Sequence, residues 1–96
     1  MQYNIVLAPE AVEDLNSLKA SARAEVKDAI GKFLRLEPAK ISKSRIKRLR
    51  GLTRPQYRLR VGDVRVFYDV AKETVEVLAI VDKSRASAWL EKYGEQ

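Results

Sequence analysis

The 96-residue chain contains no cysteine and no histidine. The first absence removes disulfide frameworks and thiolate metal sites. The second removes the commonest metal ligand and the usual general base near neutral pH, which argues against a zinc hydrolase or a Ser-His-Asp enzyme. No apolar run approaches the ~20 residues of a membrane span, and no signal-peptide pattern opens the chain. A soluble cytoplasmic protein with no membrane contact is expected. Internal repeats, low-complexity tracts and long linkers are also missing, so residues 1–96 are expected to form a single domain with a modest core.

Acidic residues are absent from one stretch. Between Pro38 and Gly62 there is none, whereas nine basic residues stand there: Lys40, Lys43, Arg45, Lys47, Arg48, Arg50, Arg54, Arg58 and Arg60. The remainder carries ten basic and thirteen acidic residues, so the formal charge of +6 is concentrated in one segment. Such a segment is either a solvated face or the footprint of an anionic partner. Lys43, Lys47, Arg48, Arg50 and Arg54 are the candidates for holding nucleic-acid phosphates, a sequence-independent role with steep salt dependence. Arg50 and Arg54 read equally well as ordinary surface residues.

Between these charges lie recognisable elements. Tyr3–Leu7 favours a strand. Pro9 suits the first turn of a helix, with Glu10, Glu13 and Asp14 at the positive end of its dipole and Ala11, Leu15 and Leu18 at helical spacing. Ser21 is expected to cap a second helix with the stripe Val26, Ile30, Phe33, Leu34, ended by Pro38. A short strand near Ile46–Leu49 follows, then a hairpin, then a strand from Thr74 to Val81. A terminal helix carries Ala86, Trp89, Leu90 and Tyr93. The fold class is α+β: an N-terminal strand and two-helix hairpin packed on an antiparallel sheet of three to four strands, with a short C-terminal helix.

The hairpin is the strongest signal. Tyr57–Val61 and Val64–Tyr68 flank a two-residue Gly62-Asp63 turn. Pairing Val61 with Val64 puts Arg60 opposite Arg65 and Arg58 opposite Phe67, so three arginines share one face. Like charges directly opposite destabilise a sheet, and an anionic partner would explain their presence. Strict alternation expects Val64, Val66, Tyr68, Val70, Val75, Val77, Ala79 and Val81 on the helix face. It expects Glu76, Leu78 and Ile80 on the arginine face.

These residues resemble the RelE/ParE superfamily of bacterial and archaeal toxins. The resemblance runs from Tyr3-Asn4-Ile5 and Pro9-Glu10-Ala11 through Asp14-Leu15, Ile30, Leu34 and Pro38. It continues over Leu49-Arg50-Gly51-Leu52, the hairpin Tyr57–Tyr68 and Val77–Ile80. The short helices look more like the RelE branch. The resemblance implies a toxin encoded beside an acidic, partly disordered antitoxin, with the pair binding operator DNA. It also implies a ribosome-dependent mRNA endoribonuclease in which a 2′-hydroxyl attacks the adjacent phosphate without a metal or other cofactor. The family's catalytic basic positions fall on Arg58, Arg60, Arg65 and Lys83, and a base-stacking aromatic falls near Trp89.

Arginine suits the charge of a pentavalent phosphorane, because its planar fork grips phosphate oxygens and stays protonated. For the same reason it is a poor base. Lys83, Lys47, Tyr68 and Asp69 are the substitutes, with Tyr68 also readable as a core aromatic and Asp69 as a partner of Arg58 or a turn cap. Two other readings stay open: a ParE-like gyrase poison acting by binding, and a non-catalytic nucleic-acid-binding module.

Overall fold

The structure, a computed structural model, describes residues 2–96. Strand β1 (Asn4–Leu7) leads through Ala8 into helix α1 (Pro9–Ser17), with Pro9 in its first turn. Helix α2 (Ala20–Ala29) runs on into a π-helical turn, Ile30–Leu34. Its N-cap is Lys19 rather than the expected Ser21, and no side chain caps it. The chain is already extended at Leu18 and Lys19, so the helix begins before the serine is reached. Strands β2 (Ile46–Arg48), β3 (Tyr57–Val61), β4 (Val64–Val70) and β5 (Thr74–Asp82) follow, and helix α3 (Lys83–Tyr93) closes the chain.

All five strands form one sheet in the order β1-β5-β4-β3-β2. The α+β class is as expected, but the sheet is larger and mixed, because β1 pairs in parallel with β5. Ala11, Leu15, Val26, Ala29, Ile30 and Leu34 of the helical layer pack on Leu59, Val61, Val66, Tyr68, Val75 and Val77 of the sheet. Tyr68 is fully buried there, stacks on Tyr57 with ring centroids 5.5 Å apart, and donates its hydroxyl to the Pro38 carbonyl at 2.7 Å.

One feature departs from strict alternation. A bulge shifts the β4–β5 register, so Val66 faces Ile80 and Phe67 faces Ala79, whereas Tyr68 faces Val77. Leu78 is the extra residue. Beyond it every side chain changes face. Ile80 therefore joins the helix-side core, whereas Ala79 and Val81 lie with Phe67 and Arg65, the reverse of the expected assignment.

Past the end of β1, Asp14 of α1 takes the place of a strand partner and accepts a hydrogen bond from the Ile80 N–H at 2.9 Å. A half-buried bond to a carboxylate contributes about 1.5–3 kcal/mol, chiefly through the donor stranded when it is removed. Asp14→Ala is expected to lower the unfolding free energy by that amount in urea titrations, and Asp14→Asn, which keeps an acceptor, by less.

Candidate nucleic-acid interface

The turn that builds the site needs its glycine. Gly62 takes φ +58°, which the first residue of a tight hairpin turn must adopt and a side chain resists. The register it fixes makes Arg60 the partner of Arg65 and Arg58 the partner of Phe67. Lys47 on β2 is the partner of Arg58, and the Arg45 carbonyl accepts from the Arg60 N–H at 2.8 Å. Two rows thus cross the face opposite the helical hairpin: Lys47–Arg58–Phe67–Ala79 and Arg45–Arg60–Arg65–Val81.

The three arginines differ in environment. Arg60 is exposed. Arg65 is braced, with its Nη1 donating to the carbonyls of Gly62 at 2.9 Å and Val64 at 3.2 Å. Arg58 is half-buried, and its Nε is a buried donor without a partner among the described residues. Burial first, then the charges of Arg65 and Arg60, pull its pKa below the ordinary arginine value. The guanidinium remains charged, so this face holds a cation whose environment favours an added anion.

Beneath the cluster, Phe67 is fully buried and stacks on Trp89 of α3, with centroids 5.1 Å apart and planes 13° apart. Trp89 in turn leans on Tyr93 at 5.4 Å. One face of Trp89 is therefore occupied within the protein. Helix α3 buries no residue completely, and besides the Trp89 stack it is tied at both ends. The Asp82 carboxylate accepts from the Ser84 N–H at 2.9 Å and from its hydroxyl at 2.5 Å, and these two bonds draw its pKa below the usual aspartate value. At the other end Glu95 forms a backbone bridge with Arg54.

The remaining candidates scatter. Lys83 caps the hairpin turn, with its Nζ 3.2 Å from Asp63. Lys43 and Arg50 are exposed on loops. Arg48 lies over the Tyr57 ring at 5.0 Å, on the helix face of the sheet and away from Arg58. Arg54 is neutralised, 3.2 Å from Glu76 and 3.6 Å from Asp69. Asp69 pairs with Arg54, not Arg58, and also accepts from the Gln56 N–H at 2.8 Å. Burial is the leading cause that raises its pKa. Tyr68 is a core residue, and burial, with Tyr57 beside it, pushes its phenol well above the ordinary value. Arg45 is not among the residues the sequence singles out for the site, although carrying the hairpin register one strand further places it opposite Arg60.

The helical hairpin, the sheet and the terminal helix are a fold shared with solved RelE toxin structures. The chain superposes on an archaeal RelE–RelB complex from Pyrococcus horikoshii OT3 with a TM-score of 0.71 and 26% identity, covering 88% of this chain and 99% of that one. It matches the RelBE2 toxin–antitoxin complex from Mycobacterium tuberculosis with a TM-score of 0.74 and 24% identity, covering 85% and 99%. It matches a mutant E. coli RelE in the free state with a TM-score of 0.69 and 22% identity, covering 95% and 94%. A search of curated proteins by sequence finds no match. Residues 5–87 match the ParE toxin of the type II toxin–antitoxin system parDE, and the chain belongs to this family, within the RelE/ParE superfamily. It is a toxin of a type II toxin–antitoxin system.

Proposed function

We propose that this toxin cleaves mRNA on the ribosome, with the arginine cluster as its phosphate site. The observation that carries the reading is the pairing of Arg60 with Arg65 beside the partnerless Nε of Arg58. In the reaction, the 2′-oxygen bonds to the adjacent phosphorus, its proton passes to solvent or a base, and the 5′-oxygen leaves and is protonated. Arg60 and Arg65 neutralise the charge on the non-bridging oxygens, and Arg58 adds to the field from below. Lys47, the partner of Arg58, is the deprotonatable side chain nearest the cluster in register. Tyr68 and Asp69 are committed elsewhere, so the reading assigns most of the acceleration to alignment and charge. An antitoxin with an acidic, amphipathic segment suits the basic stretch from Lys40 to Gly62, and two of the structural relatives are toxin–antitoxin complexes.

The match to ParE favours a second reading, in which the same face binds DNA gyrase and cuts nothing. A cell-free translation reaction and a gyrase supercoiling assay separate the two. The first reading expects mRNA cut only when ribosomes are present and supercoiling unaffected. Trapped gyrase–DNA complexes with intact mRNA would overturn it.

A further inference from the structure

Two clefts lead from the arginine cluster around the β2 edge of the sheet. The first, of about 290 Å³, is lined by Ser44, Arg45, Arg60 and Gly62. The second, of about 360 Å³, lies between the π turn and the loop before β2. Its apolar lining is Phe33, Leu36 and Ile46, and its cations are Lys32, Lys40 and Arg45. Ser44 and Arg45 line both, so they join the two into one path.

Arg45 is the hinge of this path. Its carbonyl is bonded to Arg60, while its guanidinium lies 4.4 Å from the centre of the Phe33 ring. The Lys32 ammonium lies 5.4 Å from the same ring. The one carboxylate in the lining, Glu37, is 3.7 Å from Lys40 and so is partly neutralised. Leu36 is 56% exposed, a large apolar side chain left at the mouth.

We propose that this path is a second nucleotide subsite. It extends the reading of the arginine cluster as an RNA site and rests on it. A single-stranded RNA held at Arg60 and Arg65 passes Arg45 with its backbone and sets a flanking base against Phe33. A cationic groove that follows the backbone, with an aromatic platform beside it, is the general solution for single strands, since every base has a π-face. Arg45 shields the ring in the free protein and swings to the passing phosphate, giving the ring to the base. Strand addition by a peptide is obstructed at this edge. Ser42 covers Ile46, with its N–H bonded to the Ile46 carbonyl at 3.0 Å and its hydroxyl accepting from the Ile46 N–H at 3.1 Å. The continuity of cations from Arg60 to Lys40 fits a polyanionic strand better than a compact acidic helix.

The test uses the full chain and fluorescein-labelled 2′-O-methyl RNAs, which lack the attacking hydroxyl, read by anisotropy at fixed salt. An octanucleotide is expected to bind about tenfold more tightly than a trinucleotide, the contribution of one stacked base. Phe33→Leu should remove most of that gain and leave trinucleotide affinity unchanged. Arg45→Gln, at an exposed position that cannot compromise folding as a partly buried ring can, should cost the octanucleotide more than the trinucleotide. A length gain untouched by both variants, or an equal loss at both lengths, overturns the subsite. So does a Glu/Leu-rich amphipathic peptide whose binding falls in the variants while RNA binding does not, because the groove would then serve a peptide. Arg65→Ala should weaken both lengths. If it weakens neither while Phe33→Leu still acts on the longer strand, the arginine assignment fails and the Phe33 contact stands by itself.

Discussion

Arg65→Ala is expected to lower single-turnover mRNA cleavage by about 10²–10³-fold, the usual cost of removing one donor to a developing oxyanion. Its stability should be unchanged or slightly higher. Both bonds it loses are to carbonyls in or beside the hairpin turn, one of them solvent-exposed, and the repulsion across the Arg60–Arg65 pair disappears with it. A residue that costs stability and supplies activity has the signature of function placed against fold. Chemical denaturation and cleavage measured on the same preparation check both halves. Lost activity with matching loss of stability would make Arg65 a structural brace. Full activity in the alanine variant would remove it from the site. Arg65→Lys keeps the charge but not the fork and should recover only part of the rate.

Phe67→Ala should have the largest effect on the fold. The ring is fully buried, and truncating such a residue costs about 3–5 kcal/mol. Domains of this size have roughly 5–15 kcal/mol in all. The loss also removes the platform on which Trp89 rests, so α3, which buries no residue fully, should loosen well before the helical hairpin does. Trp89 is the only tryptophan, so its fluorescence reports the stack directly. The expected result is a red-shifted emission below the main unfolding transition and faster amide exchange over 83–93. Phe67→Leu fills much of the space without the π-stack and should cost less. Unchanged emission in Phe67→Ala would show that α3 is held by its ends alone.

What could be read from the sequence followed the range of the interactions involved. The arginine register was legible because Gly62-Asp63 is a two-residue turn, which leaves the flanking strands only one pairing. The resemblance to the toxins was legible because it rests on many short motifs in order. The parallel pairing of β1 with β5 joins residues some seventy positions apart, and no local pattern marks it. The bulge was hidden for a different reason. Leu78, Ala79, Ile80 and Val81 are all apolar, so alternation carries no information about which of them faces inward. Within the site, Trp89 and Arg54 looked free as letters. Only packing reveals that one is stacked on Phe67 and the other held by Glu76 and Asp69. Phe33 read as a core stripe residue, and the π turn that carries it to the side of Arg45 has no signal in single-sequence periodicity.

The bulge at Leu78 makes β5 a strand with two phases. Its first half sends Val75 and Val77 under the helices, and its second half sends Ala79 and Val81 under the arginines and α3. The molecule's tolerance to mutation should therefore be uneven in kind as well as in degree. A substitution at Leu78 is a local packing event. Loss of the Leu78 codon would remove the bulge and leave Val77 opposite Tyr68, Ala79 opposite Phe67 and Ile80 opposite Val66, so every face downstream would be kept in a regular strand. At Leu78 the strand carries one residue more than its pairing with β4 needs.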